Sequence, residues 1–76
     1  MYKIIEIMYK IIEFPDKSIS ILVNNIVSVK IIANNIEIRT SDGYPISFRV
    51  AGDVNKLYND IKTFILNTEE NLMQIK

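Results

Sequence analysis

The apolar residues of this chain change period once, and that change limits the fold more than any other feature. From about residue 18 to residue 50 they alternate, apolar then polar, in short runs rich in Ile and Val. From residue 54 to residue 65 they recur at helical spacing, as Val54, Leu57, Tyr58, Ile61, Phe64 and Ile65. Period two marks half-buried strands and a spacing of three to four marks an amphipathic helix. The chain therefore reads as several strands followed by one helix, the order of an α+β domain in two layers.

Turn residues divide the strand region. Phe14-Pro15-Asp16-Lys17-Ser18 is a turn between strands at 8–14 and 18–23, because Pro presets the first turn dihedral and Asp bonds locally. In the second strand Ile19, Ile21 and Val23 share a face. Asn24-Asn25 is the next turn signal, since Asn tolerates positive φ. Strand 26–33 puts Val27, Val29 and Ile31 on one side and Ser28 and Lys30 on the other. Asn34-Asn35 then reads as a two-residue hairpin, which pairs Ala33 with Ile36, Ile31 with Ile38, Ile32 with Glu37 and Lys30 with Arg39. Parity sets the following loop. With Ser41-Asp42-Gly43 as a three-residue loop and Gly43 left-handed, Ile38 meets Ile46 and Ile36 meets Phe48. Pro45 has no N–H to donate, which makes strand 44–50 an edge. Asp53 is the expected helix N-cap and Asn67 closes the helix.

The expected fold is thus a small antiparallel sheet of four to five strands with one C-terminal helix packed on one face. All 76 residues form a single domain. Within it, 1–7 is an extension, 8–67 is the core, and the tail 68–76 extends the helix, docks on a partner or frays.

The extension is a duplication. Met1-Tyr2-Lys3-Ile4-Ile5-Glu6-Ile7 is followed by Met8-Tyr9-Lys10-Ile11-Ile12-Glu13-Phe14, identical at six of seven positions. One such unit is far too short for a solenoid repeat. Either a heptad was added to the gene or the natural start is Met8, so the domain begins near Met8. Helical spacing is present in 1–12, but the Ile and Tyr content favours a strand at 8–14.

Composition narrows the functions. The chain has no Cys, no His and no Trp, and nine basic residues balance nine acidic ones. Disulfides and thiolate zinc sites are excluded, and no metal or cofactor is expected. Ser18, Ser20, Ser28 and Ser47 have no base placed beside them by any motif. The carboxylates Glu6, Glu13, Glu37 and Asp42 are not spaced as a catalytic pair. Ser41-Asp42-Gly43 lacks the glycine-rich pattern of a phosphate cradle. No enzyme is expected, and no catalytic residue is assigned.

A domain this small buries only about 60% of its unfolded surface and usually needs a staple. With disulfide and metal gone, a homodimer is the expected one. Tyr9, Ile11, Ile26 and Ile32 fall on the sheet face away from the helix and form an apolar strip suited to a protein partner. The weak candidates for a binding site are Lys30, Arg39 and Arg49, which alternate outward, with Tyr9 and Tyr44 (and Tyr58) as stacking platforms. Aromatics at this spacing more often belong to a core. Glu37 also shares the basic face, so nucleic acid comes second to protein.

Strands followed by a capping helix over about residues 8–67 resemble the whirly type of single-strand-binding coactivator domain. That resemblance is one of topology. It implies a dimer that binds single strands across a basic sheet, but no diagnostic motif or basic surplus accompanies it. The alternating pattern from Ile26 to Ile65 also looks like small phage and plasmid proteins, among them inhibitors of host defence such as anti-CRISPRs. These imply a compact, non-enzymatic protein that binds a host protein. The last strands and helix are similar to those of pleckstrin-like domains, although the chain is too short for a whole one. The wealth of Ile, Asn and Lys is the bias of an AT-rich genome, which suggests a low-GC bacterium or its mobile elements. No run approaches the roughly 20 apolar residues of a spanning helix and no signal-peptide cleavage site is present, so no membrane is expected and the bacterial cytoplasm is.

Overall fold

A computed structural model describes residues 10–76. Its elements are β1 (Ile11–Phe14), β2 (Ile19–Leu22), β3 (Ile26–Ile32), β4 (Asn35–Thr40), β5 (Pro45–Arg49), α1 (Val54–Leu66) and β6 (Leu72–Gln74). They form two three-stranded sheets, ordered β2-β1-β6 and β3-β4-β5. The α+β class is as the sequence implies. The single antiparallel sheet of four to five strands is not, for two reasons: the chain changes sheets after β2, and its tail adds a strand.

The change of sheet takes three residues. Val23–Asn25 makes one 3-10 turn. At its start the Val23 amide still donates to the Lys10 carbonyl at 2.9 Å, while at its end the Asn25 carbonyl accepts from the Ser41 amide at 2.7 Å. Neither Asn has the positive φ that sequence reasoning invoked; among the described non-glycine residues only Ser18 and Ala33 do.

The tail is neither frayed nor helical. Asn67 ends α1, its amide donating to the Thr63 carbonyl at 2.9 Å. The chain then returns as β6, parallel to β1, with Ile11 opposite Leu72, Ile12 opposite Met73 and Glu13 opposite Gln74. Backbone bonds at 2.9 Å, from the Ile11 amide to Asn71 and from the Ile75 amide to Glu13, close both ends of this pair. Alternation drives the pairing, since Met73 and Ile75 turn to the core while Leu72 and Gln74 turn outward.

Two details of β3 differ from the expected pattern. The turn falls on Ala33-Asn34, one residue early, with Ala33 left-handed at φ 56°. Ile31 therefore meets Ile36, Val29 meets Ile38, and Lys30 meets Glu37. The slip of two in the pairing sum keeps every side chain on its face and replaces a like-charged pair by an opposite one. At the start of β3 the register shifts between Ile26 and Ser28. This bulge reverses the first two residues, so Ile26 packs against the core and Val27 is 65% exposed.

The rest follows the pattern. Pro15–Lys17 turns the first hairpin and Ser18 takes the left-handed cap at φ 55°, which lets Ile12 face Ile21 and Phe14 face Ile19. Gly43 at φ 90° lets Ile38 face Ile46 and Ile36 face Phe48, and Pro45 starts an edge strand. The Asp53 carboxylate accepts from the amides of Asn55 at 3.0 Å and Lys56 at 3.2 Å, a cap worth about 1 kcal/mol. The helix lies against β3 and β4 and buries Ile61 and Phe64. These two join Ile12, Phe14, Ile21, Ile36, Ile38, Phe48 and Ile75 in one core. Phe14 and Phe48 meet edge to face at 5.0 Å and couple the two sheets.

Candidate functional site

Each sheet leaves one face away from the core, and the two faces differ in chemistry. On the second sheet the register sets Lys30, Glu37 and Ser47 in one row, Ser28, Arg39 and Pro45 in the next, and Ile32, Asn35 and Arg49 in the third. Glu37 sits between two of the cations, 3.9 Å from the Lys30 ammonium and 3.8 Å from the Arg39 guanidinium. Pairs this long between exposed cations and one carboxylate contribute little to stability. They do cancel much of the positive potential that a phosphate backbone would need.

Of the other described site residues, Arg49 shares this face without an ion pair to Glu37, and Tyr44 and Tyr58 lie elsewhere. Arg49 lies at the far end of β5, on the rim of a hollow of about 160 Å³ that it shares with Lys17, Lys76 and Asp16. Tyr44 precedes the other end of β5 and is 74% exposed. Tyr58 is half-buried on α1 with the Lys62 ammonium 5.1 Å from its ring centre. Tyr9 lies outside the described residues. Among the described residues of the expected group, Lys30 and Arg39 are thus the two that share a contact, and an acid, Glu37, stands between them.

Beside Tyr44, a second hollow of about 230 Å³ opens between β2 and β5, lined in part by Ser20, Asn25, Thr40 and Asp42. The buried Thr40 hydroxyl donates to the Asp42 carboxylate and the Tyr44 amide donates to it at 3.3 Å. These bonds, the hydroxyl's first, hold the Asp42 carboxyl below its ordinary range. They explain Asp42 as the organiser of its own loop.

The first sheet carries an apolar row. Ile11 on the central strand lies opposite Leu22 of β2 and opposite Leu72 of β6. Leu22 is 37% and Leu72 56% exposed, and Ile11 between them is half-buried. The adjacent row, Ser20, Glu13 and Gln74, is polar, and the Gln74 amide donates to the Glu13 carboxylate at 2.8 Å.

The apolar strip expected from sequence is therefore redistributed. Only Ile11 of its described members belongs to this row; Ile26 turns inward and Ile32, 51% exposed, lies on the other sheet. Leu22 was legible by parity, being out of phase with Ile19 and Ile21. Leu72 was not, because nothing local announces a parallel partner for β1.

Among the described residues no cluster of three or more acidic, His or Cys side chains could hold a metal, and no helix is long and apolar enough to cross a membrane. No protein-family model matches the chain, and neither a curated protein nor a solved structure matches it.

Proposed function

We propose that this chain is a non-enzymatic interaction module that acts by binding another protein through the outer face of the first sheet. The observation that carries this reading is the row Leu22–Ile11–Leu72. Three apolar side chains lie side by side across three strands with a polar row beside them, the layout of an interface centre and its rim. Transfer of a leucine from water into a contact contributes about 1.5–3 kcal/mol when complete, so the two half-exposed leucines can anchor a partner. Small size and an AT-rich composition fit an inhibitor from a phage or mobile element that occupies a bacterial host protein. Binding of single strands is the alternative, and it would use Lys30 and Arg39 on the second sheet.

The test immobilises the full chain and passes a low-GC bacterial extract over it with and without nuclease. Leu22→Ser with Leu72→Ser should weaken capture by on the order of tenfold, about 1.4 kcal/mol. Lys30→Ala with Arg39→Ala should leave it intact. The opposite pattern, with capture lost on nuclease treatment and at raised salt, would transfer the site to the second sheet and the ligand to nucleic acid.

A further inference from the structure

We propose that the hollow of about 160 Å³ where the two sheets meet binds a small organic oxyanion, a phosphate or carboxylate carried on a short apolar body. The site goes beyond the apolar row of the first sheet and uses none of its residues.

Three segments far apart in sequence build it. The turn Pro15–Lys17 brings Asp16 and Lys17, the end of β5 brings Arg49, and the residues after β6 bring Ile75 and Lys76. They meet around Phe14 and Phe48, whose rings touch edge to face at 5.0 Å. The buried Phe14, Phe48 and Ile75 form the floor, and the exposed charged residues form the rim.

Unpartnered cations set this hollow apart. Elsewhere among the described residues each cation has a partner. Lys10 donates to the Phe64 carbonyl and stands 4.5 Å over the Phe64 ring. Lys62 stands 5.1 Å over the Tyr58 ring, and Lys30, Arg39 and Lys56 each lie beside a carboxylate. The cations that remain are Lys17, Arg49 and Lys76, and all of them line this one hollow. Their side chains have no ion pair, hydrogen bond or ring contact among the described residues. Like charges brought together repel, and Asp16 is the one acidic side chain on the rim. The cations remain in excess even with a terminal carboxylate counted at Lys76.

An oxyanion relieves that repulsion. A guanidinium offers a planar fork to a phosphate or carboxylate, and an ammonium adds a point charge. The floor gains only from an apolar body, which separates an organic anion from inorganic phosphate. The hollow is smaller than the roughly 300 Å³ at which drug-sized sites begin, so that body is one ring or a short branched chain.

Amide NMR on the full isotope-labelled chain tests this, with phenyl phosphate and benzoate as probes. At least one of them should saturably shift the amides of Asp16, Lys17, Arg49 and Lys76, with a Kd on the order of 1 mM for a ligand of this size. The tighter of the two names the head group. Inorganic phosphate should bind severalfold more weakly, and neutral benzyl alcohol should leave these amides in place. Lys17→Gln with Arg49→Gln should weaken binding by on the order of tenfold, while Lys30→Gln with Arg39→Gln leaves it unchanged. The Asp16 side chain makes no hydrogen bond or ion pair among the described residues, so Asp16→Asn keeps the turn and removes the competing charge. Binding should then tighten severalfold, a gain that misfolding cannot produce. Four results would overturn the proposal: no saturable shift at these amides with either probe, inorganic phosphate binding as tightly as the better probe, loss of binding with the Lys30 and Arg39 variant, or an affinity indifferent to Asp16→Asn.

Discussion

The two sheets use the same aliphatic vocabulary but assemble over different distances along the chain. In the second sheet β3, β4 and β5 follow one another through short turns, so each strand pairs with its sequence neighbour. In the first sheet β1 and β2 form a hairpin, but β6 reaches β1 only after the whole second sheet and the helix have been laid down. Gln74 and Glu13, bonded across that pair, are 61 residues apart. Non-local pairs cost chain entropy before they gain contacts. The first sheet therefore depends on the second. Its outer face also gains an apolar row where the second sheet's carries charges, because β6 brings Leu72 beside Ile11.

This contrast predicts unequal responses to core truncation. Phe48 belongs to the second sheet but packs edge to face on Phe14 of the first. Phe48→Ala should cost about 3–5 kcal/mol and lower the stability of both sheets together in one urea transition. If amides of β1 kept their protection while those of β4 lost it, the two sheets would not share a core. Ile75 is buried but sits just beyond β6 near the end of the chain. Ile75→Ala should cost about 2 kcal/mol, at the low end for such a truncation because a chain end relaxes readily. Its effect should be uneven: hydrogen exchange should quicken at Ile11 and Glu13 while Ile36 and Ile38 stay protected by their own ladder. Equal quickening in both sheets would mean that the parallel pair is no weaker than the meander.

The same contrast explains what could be read from the sequence. The β4–β5 register was fixed by Gly43 and by the parity of Ile36, Ile38, Ile46 and Phe48, all within one local stretch. The helix was fixed by Asp53, Asn67 and a six-residue apolar stripe. Even the β3–β4 turn, placed one residue late, left each face right, because the slip was even. The bulge at Val27 was hidden because inner and outer residues there, Ile26 and Val27, are equally apolar. The split into two sheets depended on a 3-10 turn at Val23–Asn25 that resembles any Asn-rich loop. The parallel strand β6 is three residues long and has no local partner, so alternation alone could not separate it from a helical tail. The site suffered from the same blindness. Lys30 and Arg39 were found with Glu37 beside them, Arg49 and Tyr44 were found but lie apart, and Leu72 could be placed only once β6 was known to lie against β1.

The smallest expected effect separates the loops of the two sheets rather than their cores. Asp42 holds the β4–β5 loop through the Thr40 hydroxyl and the Tyr44 amide, and both bonds favour its ionised form and lower its pKa. A carboxylate whose folded pKa lies below its unfolded value adds stability above the unfolded value, about 3.9 for Asp. That stability is lost as pH falls through the lower folded value, where the folded chain also takes up the proton. Asp42 is exposed, so water and salt screen much of the effect. Asp42→Asn removes the ionisation while keeping an acceptor oxygen. The native chain should therefore melt slightly higher than Asp42→Asn at about pH 6, and the gap should close on acidification toward about pH 2. Hydrogen exchange should locate the difference at Gly43 and Tyr44, leaving the Ser18 turn of the first sheet unchanged. That turn is held by a backbone bond, from the Ser18 amide to the Pro15 carbonyl at 3.3 Å, and has no titrating cap. A gap that stayed constant with pH would show that Asp42 acts by shape alone, and a gap that appeared at Ser18 would show that the two sheets communicate through more than Phe14 and Phe48.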